Sequence, residues 1–157
     1  MAYKLIDMKK KVFVEIISSL FILLFAYTAL SKLYDPAKFQ WALEKSPLIH
    51  SFSGIFTYAI PVIELTVATL LFFPKTRKKG LYSSLGLMTI FTLYIGYMLL
   101  FTPKLPCSCG GVIQQMNWNQ HLLFNLGFTL LAGIGIALHT KPGIIAKRQH
   151  KTKAAYI

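Results

Sequence analysis

Four long stretches free of Lys, Arg and Asp constrain this chain most: Val12–Ser31, Phe52–Phe73, Gly80–Phe101 and His121–His139, of 20, 22, 22 and 19 residues. A helix rises about 1.5 Å per residue, so about 20 residues cross a hydrocarbon core of about 30 Å. Histidines aside, the only acids or bases within them are Glu15 and Glu64. Core helices of a soluble bundle would carry a polar face recurring every three to four residues, and none of the four stretches does. Composition agrees: 55% of residues are hydrophobic, 14% are charged and mean hydropathy is +0.55, against about 45–50% apolar and about 25% charged in soluble domains. The expected fold class is all-α, an integral membrane four-helix bundle. It forms a single domain over 1–157, with spans at about 12–31, 52–73, 80–101 and 118–139. Lys9-Lys10-Lys11 before the first stretch resembles the start of a signal peptide. The apolar run is longer than the usual 7–15 residues or so and no A-x-A site follows, so an uncleaved anchor is expected.

The basic residues set an expected orientation. Thirteen of the 17 Lys and Arg fall before the first span (Lys4, Lys9, Lys10, Lys11), between spans two and three (Lys75, Arg77, Lys78, Lys79) or after the fourth (Lys141, Lys147, Arg148, Lys151, Lys153). Lys32, Lys38, Lys45 and Lys104 occupy the other two loops. The positive-inside rule then puts both termini, including a basic tail over 141–157, in the cytoplasm. This explains the net charge of +12 without nucleic acid, and basic ends of this kind contact anionic lipid.

Two loops face outward under this topology. In the first, Lys32–Ser51, Asp35 is an N-cap, Pro36 suits the first helical position and Ser46-Pro47 stops the helix. A short helix in the membrane interface is expected, with Trp41 at headgroup level; a lid or docking surface over the bundle is the functional alternative. The second, Thr102–Gln120, holds Pro103, Pro106, Cys107-Ser108-Cys109 and Gly110-Gly111, with Asn117 capping the fourth helix. Two thiols one residue apart can close a tight disulfide ring, and strained or exposed disulfides are the labile or catalytic ones. Redox exchange and a static disulfide or pair of free thiols both fit this spacing. Zinc would need His50 and His121 to complete four ligands, and copper(I) would suit Cys107, Cys109 and Met116 better. Both metals are minor alternatives.

Trp118, His121 and Asn125 recur at i, i+3 and i+7, and so share one helix face. Trp118 reads as a membrane-belt residue. His121 is either an edge residue or an imidazole placed to stabilise a thiolate, and Asn125 is expected to hydrogen-bond another helix. Glu64 lies near mid-membrane, where ionisable groups are functional by default. Pro61, one turn earlier, frees a backbone carbonyl. Glu64 is either a protonated, hydrogen-bonded packing group or a proton or quinone-contact site. Gly80 and Ser84, and Gly133 and Ala137, are small-residue pairs suited to close helix packing.

Ala29-Leu30-Ser31-Lys32-Leu33-Tyr34-Asp35-Pro36 with Phe39, Pro61-Val62-Ile63-Glu64-Leu65, Cys107-Ser108-Cys109-Gly110-Gly111 and Trp118-x-x-His121-x-x-x-Asn125 together resemble the MauE branch of the DoxX-like membrane proteins, over roughly Val12 to Leu138. Ser108 and Gly110 depart from that branch, which often has Gly and Phe there. The resemblance implies a redox-associated four-helix protein of a bacterial inner membrane, with its cysteine loop on the periplasmic side. It is linked to methylamine utilisation and to disulfide formation in a periplasmic dehydrogenase subunit, beside a thioredoxin-like partner. It also implies Cys107 and Cys109 as the redox pair, with Glu64, Trp118, His121 and Asn125 in support.

The leading expectation is a thiol–disulfide oxidoreductase relaying electrons through Cys107 and Cys109 to or from an extracytoplasmic thioredoxin-like or substrate protein, with a quinone near Glu64 as a candidate cofactor. The rival is a non-catalytic anchor or assembly subunit of a membrane complex. A small-solute or metal carrier is the third class, and no inverted repeat supports it.

Overall fold

The computed structural model describes residues 2–101 and 117–140, and among these every regular element is helical. Four helices are long and apolar enough to cross a membrane: α1 (Ala2–Tyr34), α3 (Ser53–Phe72), α4 (Arg77–Phe101) and α5 (Trp118–Thr140). A short helix, α2 (Pro36–Glu44), and a 3₁₀ turn at His50–Phe52 connect α1 to α3. Asp35 starts α2 as expected: its carboxylate accepts the Lys38 backbone N–H at 3.0 Å, with Pro36 at the first helical position. That bond satisfies one of the orphan donors of a helix N-terminus.

Going around the bundle, α1 packs on α3, α3 on α4, α4 on α5 and α5 back on α1, while α2 lies mainly against α3. The packed centre is apolar, with Phe21, Phe25, Leu71, Leu81, Met88 and Ala132 almost wholly enclosed. Phe21 stacks on Phe25 at 5.7 Å between ring centroids and meets Phe128 edge-on at 5.4 Å. Large side chains such as Leu23, Ile55, Leu93, Leu123 and Leu130 lie exposed on the outer surface of all four long helices. An apolar exterior of this extent belongs in hydrocarbon rather than in water.

Hydroxyls inside these apolar helices bond to their own backbone one turn back: Ser18 to the Val14 carbonyl, Thr57 to Ser53, Ser84 to Gly80 and Thr129 to Asn125. This satisfies them where no water is present to do so. At the turn between α3 and α4, the Thr76 hydroxyl donates to the Leu70 carbonyl and its N–H to the Phe73 carbonyl. Gly80 is required here, because a Cβ at that position would come within 2.9 Å of the Leu71 backbone nitrogen. Gly133, expected at a helix contact, faces open space; Gly135 is the glycine of α5 that lies against Ile17 and Leu81.

The first span differs from its expected limits, since the α1 helix continues to Tyr34. Lys32, read from the sequence as the start of a loop, is helical, and its side chain is only 12% exposed.

Candidate functional site

Glu64 sits in the middle of α3 with 1% of its side chain exposed. A carboxylate removed from water in this way needs a charged partner or several hydrogen bonds. The Lys32 ammonium supplies both, lying 2.7 Å from Oε1 and 3.0 Å from Oε2. Its remaining donor direction reaches the Thr28 carbonyl at 3.3 Å, and it sits 5.7 Å from the centre of the Phe39 ring.

Two residues 32 positions apart meet because α1 and α3 run antiparallel. Arg77, just past the end of α3, contacts Glu15 near the start of the apolar part of α1 at 3.4 Å, which fixes the opposite ends of the two helices side by side. Helical side chains lean toward the N-terminus of their own helix. Lys32 therefore leans back along α1 while Glu64 leans the opposite way along α3, and the two converge. The polar partner of Glu64 is thus Lys32 of α1. Sequence reasoning missed this residue, and its signal was a lysine one helical turn after Thr28 at the very end of an apolar run.

The ion pair lines a cavity of ≈ 360 Å³, partly open, with residues of α1, α2, α3, α4 and α5 and Ile49 around it. Its walls are almost entirely apolar or aromatic, including Phe25, Phe39, Phe56, Ile63, Phe91 and Phe124. Trp118, His121 and Asn125 enter it from α5, on the single face their spacing predicts. Four residues singled out in the sequence, Glu64, Trp118, His121 and Asn125, thus meet in one space, together with Lys32 and Thr28.

The polar capacity in this cavity is unevenly used. The three donor directions of Lys32 are all occupied. Asn125 donates to the His121 carbonyl of its own helix at 3.0 Å, where the sequence suggested a bond to another helix; the interhelical polar contact of this region is made instead by Thr92 and Thr129, hydroxyl to hydroxyl at 3.2 Å. At the start of the same helix, the enclosed indole N–H of Trp118 has no acceptor among the described residues. The His121 ring likewise makes no hydrogen bond among the described residues.

Cys107 and Cys109, with Met116, lie outside the described residues. The structure describes the two ends of their segment: α4 stops at Phe101, and α5 begins at Trp118 with the Asn117 N–H bonded to the Gln120 side chain at 3.0 Å. Met98, one turn before Phe101, and Trp118 both line the cavity. His50, considered as a zinc ligand, is exposed in the 3₁₀ turn with its ring 2.8 Å from the Ser51 hydroxyl. Among the described residues no three His, Cys, Asp or Glu side chains cluster as metal ligands would.

Comparison with curated proteins and with solved structures finds no match. The family model described as methylamine utilisation protein MauE, in contrast, matches residues 10–138, a range that reaches from the first span into the last turn of the fourth and contains the Lys32–Glu64 pair and the Cys-Ser-Cys segment. With the match covering most of its length, this chain belongs to the MauE family of membrane proteins.

Proposed function

We propose that this protein is a membrane thiol–disulfide relay serving methylamine utilisation, the process named in its family's description. In this reading Cys107 and Cys109 cycle between dithiol and disulfide. The observation that supports this reading most is the family match over residues 10–138, a range that contains both Cys107 and Cys109. The described part of the bundle holds one built polar site, Lys32 with Glu64, in otherwise apolar surroundings.

The exchange step balances without further reagents. A thiolate of one protein attacks the disulfide of the other, a mixed disulfide forms, and the second thiolate resolves it, so that two electrons and two protons change protein. The partner is an extracytoplasmic thioredoxin-like or substrate protein. The Lys and Arg distribution supports an orientation with both termini in the cytoplasm of a bacterial inner membrane and the cysteine segment outside.

Replacing both cysteines by serine in cells is the test. A relay requires that extracytoplasmic proteins change their thiol-to-disulfide ratio in the Cys107→Ser/Cys109→Ser strain. An unchanged ratio, with the variant still co-purifying with the partners of the parent protein, would replace the relay by an assembly subunit.

A further inference from the structure

We infer that the cavity between the helices holds, in the membrane, one acyl chain of a bilayer phospholipid, which enters it sideways between α3 and α4. This occupant follows from where the cavity opens, and it holds whether or not the two thiols form a relay. α3 and α4 approach closely at Gly80, where a Cβ would come within 2.9 Å of the Leu71 backbone nitrogen. Away from that contact, Ile63 lies eight residues back along α3 from Leu71 and Ile90 ten residues on along α4 from Gly80. At about 1.5 Å per residue the two sit about 12–15 Å from the contact, at a similar depth. Both line the cavity, and both are also exposed on the outer surface, at 47% and 62%. Phe56, two turns from Ile63 on α3, does the same at 37%. Side chains that touch a cavity and the exterior together mark its mouth, so the cavity opens through the outer surface beside α3 and α4. Ile55 and Leu93 of the same two helices are exposed there as well, and both helices are long and apolar enough to span a membrane. The cavity is thus continuous with the lipid-facing surface of the bundle.

The interior takes a hydrocarbon chain and leaves the headgroup outside. Histidine aside, Lys32 and Glu64 carry the only charges on its wall. They neutralise each other at 2.7 Å, with every donor direction of the ammonium engaged, so no cation is left for a phosphate. The rest of the wall is mostly aliphatic and aromatic, Phe25, Met88 and Phe91 among it. A stably held water needs about two to four polar partners, which so apolar a space does not offer, and an empty space forfeits the dispersion contacts of its walls. A flexible chain of methylenes meets neither penalty, and acyl chains fill the bilayer on the far side of the mouth. At ≈ 360 Å³ the cavity stands at the lower end of the range of about 300–1,000 Å³ found for small-molecule sites, a size for one chain rather than a whole lipid. Seated there, the chain packs against the Lys32–Glu64 pair and keeps water from it, which preserves the low dielectric that strengthens their attraction.

The test is photo-crosslinking of the full-length protein in nanodiscs of phosphatidylcholine, a small fraction of which carries a diazirine near the end of one acyl chain. Adducts are mapped by mass spectrometry of peptides. They are expected at Phe25 and Met88, which line the cavity while lying almost wholly enclosed, as well as at the outward Leu93 and Leu130. Ile63→Trp/Ile90→Trp, which fills the mouth from both helices, should lower the interior adducts roughly tenfold or more relative to those at Leu130, as overpacking of a pocket does. Ile90→Trp alone, at the more exposed of the two positions, should lower them by a smaller factor. Helical circular dichroism and the Leu130 adducts report that the variants are folded and inserted.

Adducts confined to outward residues in the parent protein would overturn the inference whether or not the variants fold. Interior adducts unchanged in both filled variants would overturn the mouth between α3 and α4. Loss of the interior adducts on adding an isoprenoid alcohol, but not on adding an equal amount of unlabelled phosphatidylcholine, would replace the acyl chain by an isoprenoid one.

Discussion

Replacing Lys32 by methionine keeps most of the side-chain length and apolar volume while removing the ammonium. Glu64 then remains in the middle of α3 with 1% of its side chain exposed and without its two charge-assisted bonds of 2.7 and 3.0 Å. Hydrogen bonds to charged groups contribute about 1.5–3 kcal/mol each, so two of them give about 3–6 kcal/mol. Removing one partner of a buried ion pair is independently expected to cost about 3–5 kcal/mol. The two figures overlap, and Lys32→Met should destabilise the bundle by about 3–5 kcal/mol. Removing both charges in Lys32→Met/Glu64→Leu leaves no stranded carboxylate, and buried pairs replaced by apolar residues are often neutral or stabilising. The double variant should therefore be more stable than the single one. Equilibrium unfolding in mixed micelles, followed by circular dichroism, gives the four corners of the cycle. A single-variant cost below about 1 kcal/mol, or a double-variant cost equal to the sum of the two singles, would refute a coupled buried pair.

Three further outcomes follow from the structure. Gly80→Leu should cost about 1–3 kcal/mol by overpacking, since a Cβ there would lie 2.9 Å from the Leu71 backbone nitrogen, whereas Gly133→Ala, facing open space, should change stability by no more than about 0.5 kcal/mol; unfolding midpoints compare them. Asp35→Ala removes the acceptor of the Lys38 N–H and should cost about 1 kcal/mol, read as faster hydrogen exchange in α2 and little change in α3–α5. Phe21→Ala, which vacates a fully enclosed site between Phe25 and Phe128, should cost about 3–5 kcal/mol; a loss below about 1 kcal/mol would mean that the bundle centre collapses around the vacancy.

The four spans were legible because a bilayer imposes a length that a run of apolar residues either meets or fails to meet, and α2 was legible because Asp35 and Pro36 carry their own capping chemistry. The gathering of Trp118, His121 and Asn125 on one wall followed from helical periodicity alone. Lys32 was not legible. A lysine closing an apolar run ordinarily turns outward to the headgroups, and only the antiparallel register of α1 and α3 turns it inward to Glu64. The acceptor of Asn125 was unreadable for a related reason: one carboxamide can bond the preceding turn or a neighbouring helix, and the choice depends on distances between helices. Gly135 rather than Gly133 meets Ile17 and Leu81, because helix rotation within the bundle is set by packing and is not written in the spacing of small residues.

Trapping the thiols of Cys107 and Cys109 in intact cells with a membrane-impermeant, mass-adding alkylator, with and without prior reduction, tests the relay most directly. A relay on the outer side requires labelling that appears only after reduction, together with a mixed-disulfide adduct that captures the partner. Free labelling of both thiols without reduction and without any adduct would contradict it.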